Sequence, residues 1–351
     1  DDIEYCLKKY TASYSDEDFE DTYADGKGLT SDEYTALKQK TLKSIYTYGG
    51  FYVGRYEAGA ETARISADDE LSTAVIKPDV YPYNWVTNAQ AQELASEFAS
   101  NKIGYESNLL FGLQWDLILK HMETKGTDIA DLNSDSTEWG NYWNNTYTTN
   151  ASSSYSTDYG DSWTPGAYDK TSSAGVLLTT GASSEFEKEG IYDLAGNVSE
   201  WTLETCTSDS SDHCVARACY YFDHGGINPA SFRYGYSTSD TSNGKGFRVS
   251  LIKEPEDEGT SPGGSTVPAN VIEPSEITAS NYGGYVTNYK PTNESEVGWR
   301  IFHSDGERIY LIADNYIDRQ YVPAGKNGTT YNSTSGSYGT NLNAAVDYAG
   351  T

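Results

Sequence analysis

From Thr127 to Gly181 the chain runs through Asn, Ser, Thr, Tyr and Trp with neither the two-residue period of a strand nor the 3.6-residue period of a helix. Such a stretch reads as long surface loops around short strands, decorating a scaffold built elsewhere. Regular structure is expected on either side of it. The first 47 residues read as a mostly helical lead-in, the acidic patch SDEDFEDTYADGKG followed by SDEYTALKQKTLKSIY. Gly49 to Tyr56, GGFYVGRY, alternates as a strand does. A helix opens at Thr87, whose hydroxyl is placed to cap the N–H of Gln90 while Gln90 reaches back; Ala91, Leu94, Ala95 and Phe98 form its apolar stripe. Phe111 to Met122 is a second helix with Trp115, Ile118, Leu119 and Met122 inward.

Regularity resumes at Gly190 with GIYDLAGNVSEWTLE, and Phe247, Val249 and Leu251 alternate to give a closing strand. KEPEDEGTSPGGSTVP is then a linker by composition. Beyond it, GWRIFHSDGERIYLIADNYI reads as a hairpin turning at Ser304 to Glu307, before a tail of Gly, Asn, Ser and Thr. The expected organisation is a lead-in over 1–47, a main domain over 48–253, a flexible linker over 254–271 and a small, partial β unit over 272–351.

The segment Arg217 to Arg248, RACYYFDHGGINPASFRYGYSTSDTSNGKGFR, crowds rings and short polar side chains between a few residues of scaffold character. Tyr220, Phe222 and His224 alternate at the period of a strand, as do Phe232, Tyr234 and Tyr236, so each trio is expected to face one way. Rings backed by Gly, Ser, Asp and Asn make the composition of a paratope, where aromatics supply contact area and small polar groups adapt their hydrogen bonds. The competing reading is a sandwich strand pair with buried rings. Between Ala218 and Gly244 there is no Lys, Glu, Gln, Met or Trp. These are the residue types that an Asn codon ending in a pyrimidine cannot become when its adenines are randomised.

Charge narrows the partners. The chain has 351 residues and a formal net charge of -28, so nucleic acid and anionic lipid, which need clustered Lys and Arg, are excluded in favour of neutral or basic partners, or proteins. No apolar run approaches a membrane span, and Asp1 is not a native start, so a signal or anchor segment removed before it is expected. The 31 Tyr suit half-buried strands and surfaces.

Few motifs carry chemistry. Cys206 and Cys214 bracket a polar loop short enough for a disulfide, and neither the cysteines nor the four His match a zinc pattern. Asp21 to Asp32 loosely mimics a calcium loop, with Tyr23 at its third position and Asp32 at its twelfth wrong for a tight site. Gly259 to Gly263, GTSPG, formally matches a nucleophile elbow but sits in the linker with no strand before it. Nothing here argues for catalysis.

YDLAGNVSEWT within Gly190 to Trp201, with YEAG at 56–59, PYNWVTNAQAQELA at 82–95, FGLQWD at 111–116 and GFRVSL at 246–251, resembles the formylglycine-generating-enzyme/sulfatase-modifying-factor domain family over roughly Gly49 to Ile252. The resemblance implies an α+β, C-type-lectin-like fold with two helices, small twisted antiparallel sheets and long irregular loops. In the family's enzymes two cysteines between the RGG-like and GFR motifs are needed for oxidation. This chain has only Cys219 there, in place of a glycine of the RGG-like turn. The resemblance also offers a structural calcium held by the backbone of Ala195, Gly196 and Val198 with the Glu200 carboxylate; Glu200 buried against backbone N–H groups is the other reading.

A closer resemblance is to the variable proteins of diversity-generating retroelements, a subgroup of this fold in which adenine-directed mutagenesis rewrites an Asn-rich C-terminal segment of the domain. Arg217, Pro229, Ala230, Ser231, Arg233, Ser237, Thr238 and Gly246 to Arg248 look like its frame. Tyr220, Phe222, Asp223, His224, Gly226, Ile227, Phe232, Tyr234, Gly235, Tyr236, Asp240, Thr241, Ser242, Asn243 and Gly244 look like its rewritten positions. Ala218 and Cys219 depart from the usual glycines. Arg233 and Arg248 are expected to pair with carboxylates or carbonyls, and Trp115 and Trp201 to be core.

The reading is a diversified receptor or adhesin, exported to a bacterial cell surface or virion, that binds a macromolecule, a protein above all, by contact and without a cofactor. Tyr220, Phe222, Tyr234 and Tyr236 are its expected anchors, with His224, Asp223 and Asp240 setting polarity. The alternatives are an inactive or divergent sulfatase-modifying-factor-like enzyme, a calcium-dependent glycan-binding lectin, and a purely structural wall or virion protein.

Overall fold

Helices here begin where a side chain meets the free N–H groups of the first turn. The computed structural model describes residues 2–254 and the backbone of Trp299–Ser304 and Ile309–Ala313. Contacts divide the chain into two units, 1–261 and 262–351. After α1 (Asp2–Tyr10), helix α2 (Ser31–Tyr48) opens at Thr30, whose hydroxyl accepts the Glu33 N–H while the Glu33 carboxylate accepts the Thr30 N–H. Thr87 and Gln90 repeat this box at α3 (Asn88–Ser96), as the sequence predicts, and Ala91, Leu94 and Ala95 are buried with Phe98 packed beside them. Helix α4 (Gly112–Lys125) carries Trp115, Ile118, Leu119 and Met122 into a second cluster, also as predicted; α5 (Ile129–Asn133) follows.

The N-terminus of α4 is capped from outside. The Asp21 carboxylate accepts the N–H groups of Gly112 (2.7 Å) and Leu113 (2.9 Å). That is where the calcium-like loop places its first ligand, so Asp21 serves a helix end, where a carboxylate meets the dipole. The lead-in is drawn into the core in other ways too. Strand β1 (Phe19–Glu20) pairs with the longest strand of the fold, Lys27 is buried with its ammonium on the carbonyls of Leu203 and Glu204, and Tyr34 and Leu37 join the core.

Two sheets organise the first unit. Strand β2 (Tyr52–Val53) is all that forms of the strand expected over 49–56, and it flanks one small antiparallel sheet with β3 (Tyr105–Leu109). The main sheet centres on β4 (Ser199–Cys206), buried at every position, with Trp201 and Leu203 in the core. It continues through β5 (Cys214–Arg217) to the edge strand β6 (Arg233–Tyr236), while β7 (Lys245–Phe247) pairs with β4 in parallel. The expected closing strand is split at Arg248: Phe247 ends β7, and β8 (Val249–Lys253) lies between β2 and β3 in the smaller sheet. The segment 127–181 contributes α5, a one-turn helix (Thr137–Trp139) and strands of two or three residues, the loop-rich region its composition predicts.

The Cys206 to Cys214 disulfide that the loop length allows is not formed; all four cysteines are free. Thr205, not Cys206, lies opposite Cys214 across the β4–β5 pair. Because side chains alternate faces, this one-residue offset sends the two thiols to opposite sides of the sheet. The hairpin expected after 298 appears as the paired strands β9 (Trp299–Ser304) and β10 (Ile309–Ala313). Its turn, the linker and the GTSPG motif lie outside the described residues.

Candidate surface on the edge of the main sheet

Below the candidate surface sits a ring of buried charges. Arg217 reaches Asp116 (2.7 Å) and Glu204 (3.1 Å), and Arg233 reaches the same two carboxylates (both 2.7 Å) and the Tyr14 carbonyl. Four side chains from β4, β5, β6 and α4 are thereby locked together, with the Arg217 guanidinium over the Trp115 ring at 5.4 Å. Arg248 does the same on the other flank, bidentate to Glu200 and bonded to the carbonyls of Gly54 and Tyr192. The frame expectation for Arg233 and Arg248 is met, and Trp115 and Trp201 are core.

Between Cys219 and Ser231 the backbone makes turns, so Tyr220, Phe222 and His224 do not share a strand face. The two-residue spacing there is coincidental: the segment's bonds go to outside loops instead of a neighbouring strand. Tyr221 donates its N–H to Asn197, Asp223 accepts from the Trp143 N–H, Gly225 accepts from the Ser136 N–H, and the Trp115 indole donates to Ala230. A Cβ on Gly225 would sit 2.5 Å from the Thr137 nitrogen, so this crossing requires glycine. Asp223 is half-buried, while His224, Gly226 and Ile227 face solvent at the tip.

The second trio behaves as predicted. Phe232, Tyr234 and Tyr236 line one face along β6, with ring centroids 6.3 and 5.0 Å apart. Their exposure is graded. Tyr234 is 54% exposed; Phe232 packs on the α4 cluster, and Tyr236 stands edge-on to the Trp201 ring at 5.5 Å. Burial, then Cys219, Asp223, Asp240 and Tyr220 nearby, push the Tyr236 hydroxyl well up. Gly235, half-buried, turns toward Cys206 and the Asp212 carbonyl. Tyr234→Ala is therefore expected to change stability by no more than about 0.5 kcal/mol. Tyr236→Ala, which opens space beside Trp201, is expected to cost about 2 kcal/mol or more, read by urea denaturation of the single variants.

The loop 237–244 is pinned at its C-terminal end. Ser242 and Asn243 carbonyls accept from the Trp85 N–H and the Asn84 amide, the Asn243 amide donates to the Tyr159 carbonyl (2.9 Å), and Gly244 accepts from the Ser199 N–H. Lys245 crosses the Tyr236 ring at 4.0 Å and pairs with Asp240 at 2.8 Å. Asp240, Thr241, Ser242 and Asn243 are half-buried, but Gly244 is buried, and a Cβ there would meet the Tyr220 ring at 2.3 Å. Placing Gly244 among surface positions is thus corrected: any larger residue displaces Tyr220.

Sequence reading missed the rings that complete this surface. Phe222 stacks on Tyr159 (5.2 Å, planes 2° apart) and lies 5.3 Å from Trp143, while Tyr220 and Tyr221 pack against Phe222. Tyr159 and Trp143 come from the aperiodic segment, whose ring-and-Asn composition was the available signal.

The calcium reading of Glu200 does not fit the donor set. The carboxylate is buried and takes Nε and Nη2 of Arg248 in place of backbone N–H groups, so its counter-charge is a guanidinium. Among the described residues no group of three His, Cys, Asp or Glu is arranged to hold a metal.

Comparison with known proteins agrees with the fold. The family model of the sulfatase-modifying factor enzyme 1-like domain matches residues 122–253. No curated protein matches the chain. The structure of Treponema denticola variable protein 1 is similar at 18% identity over 42% of this chain and 48% of that one, less than half its length, with a TM-score of 0.24. Residues 122–253 thus match the sulfatase-modifying factor enzyme 1-like family, and the unit that contains them has its α+β, C-type-lectin-like fold.

Proposed function

We propose that this chain is a ligand-binding protein whose edge-strand surface is a diversified site for a protein partner, working by contact and without a cofactor. One observation carries the reading. Of the frame candidates, Arg217, Pro229, Ala230, Ser231, Arg233 and Gly246 to Arg248 are buried and Ser237 and Thr238 half-buried, whereas every candidate variable position except Gly244 reaches solvent in part. Phe232 and Tyr236 pack on the supports, but Asp223, His224, Gly226, Ile227, Tyr234 and Asp240 to Asn243 lie outside the buried frame and can change while it stays in place. Export to a bacterial cell surface or virion is part of the proposal.

An oxidase is disfavoured by the state of its only candidate thiol. Cys219 is buried, and burial with Asp223 beside it pushes the thiol far up, so the nucleophilic thiolate is withheld at neutral pH.

The test needs no natural ligand. A displayed library with Asp223, His224, Gly226, Ile227, Tyr234 and Asp240 to Asn243 randomised is selected against hen lysozyme, a basic protein. Most clones are expected to stay folded, and selected clones to bind with Kd of about 1 μM or tighter. A library that mostly fails to fold, or folds and never yields a binder, overturns the proposal.

A further inference from the structure

We propose that Tyr159 and Asp161, outside the Arg217–Arg248 segment, form a fixed subsite that takes an arginine side chain from the protein partner. This deepens the binding reading above and rests on it. Tyr159 is held in the left-handed region (φ 66) although it is not glycine, and 56% of it is exposed. The left-handed backbone belongs to a tight turn with Tyr159 and Gly160 (φ 95) at its centre, closed by the Asp161 N–H on the Asp158 carbonyl; the turn holds the ring out, where Phe222 covers one face and Asn243 bonds the Tyr159 carbonyl. The opposite face is left for a partner.

The polar groups around that ring select its occupant. Asp161 is exposed and makes none of the ion pairs among the described residues. The Tyr221 hydroxyl, on a fully buried residue, has no hydrogen-bond partner. Its proton is held more firmly by burial, then by Tyr220, Tyr159 and Asp161, which places all of them in one neighbourhood. A ring face beside an unpaired carboxylate suits a planar cation with several donors, and the net charge of -28 favours a basic partner. The same surface already shows the pattern filled from within, where Lys245 lies over the Tyr236 ring and against Asp240.

The probe is N-acetyl-arginine methylamide, titrated into the full chain and followed by NMR of the Tyr and Trp side chains. Saturable shifts are expected at Tyr159 and Tyr221, with the lysine analogue several-fold weaker. Tyr159→Ala is expected to weaken binding about fivefold and Tyr159→Phe less than about twofold, as one exposed cation–π contact allows. Asp161→Asn should weaken it about threefold at low salt. Should Tyr159→Ala unfold the protein, the surface change Asp161→Asn decides alone. Shifts that never saturate, or affinity unchanged in the variant that decides, overturn the subsite. The lysozyme selection is independent: binders without an arginine response sink this inference only, and an arginine response without binders sinks the diversified-site reading.

Discussion

Glu204→Ala is expected to remove about 3–5 kcal/mol of stability, because it leaves buried guanidiniums short of a counter-charge. In a domain of this size that lowers the unfolding midpoint by on the order of 10 °C. Glu204 takes Arg217 Nη1 and Arg233 Nε, and Asp116 takes the Nη2 of both. Burial works to raise the Glu204 carboxyl, but the Arg217 and Arg233 charges overcome it and hold the group below its ordinary range. A lowered acid contributes stability that is present above its unfolded pKa and lost as pH falls through the folded value, so the penalty should be greatest at neutral pH and shrink in acid. Urea denaturation at pH 7 measures it. A loss under about 1 kcal/mol would mean that water reaches the ring of charges and that the support of β6 lies elsewhere.

That ring also shows what a sequence reveals and what it hides. The Thr87–Gln90 capping box, the helix stripes and the alternation of Phe232, Tyr234 and Tyr236 are local, set by residues within one or two turns of each other, and each forms as read. Contacts between distant segments are not encoded in any local spacing. Asp21 capping α4 spans 91 positions, and Tyr159 meeting Phe222 depends on two loops crossing. Whether Cys206 and Cys214 bridge was not legible, because loop length cannot report which face of a sheet a side chain takes. Tyr220, Phe222 and His224 misled because a two-residue spacing predicts a strand only when a partner strand is available, and here the neighbours are the turns around Ser136 and Trp143. The frame arginines were legible as ion-pair formers, their partners were not: Asp116 sits inside a helix that reads as ordinary amphipathic structure.

The second large effect is expected at Arg248, and its dependence on pH identifies the cause. Arg248→Ala strips the cation from a pocket that also contains Glu57, Asp193 and Glu200, all buried. Burial is the chief reason these carboxyls are raised; Asp193 is pushed up to about 7, with the Gly181 N–H and Arg248 opposing the rise. An acid raised in the folded state binds its proton there while the unfolded chain has released it. Stability therefore falls as pH climbs from about 4 to about 7, already in the unaltered protein. Without Arg248 the carboxyls rise further and the fall extends to higher pH. The variant should lose about 3–5 kcal/mol at pH 8, where the pocket must hold uncompensated negative charge. At pH 5 the loss should be smaller by at least about 1.4 kcal/mol, the equivalent of one pKa unit, because the carboxyls accept protons instead. Denaturant melts of both proteins at the two pH values read the difference. Since Arg248 also bonds the Gly54 and Tyr192 carbonyls, some loss will remain at pH 5; a loss equal at both pH values would assign its whole contribution to those bonds and none to the charges.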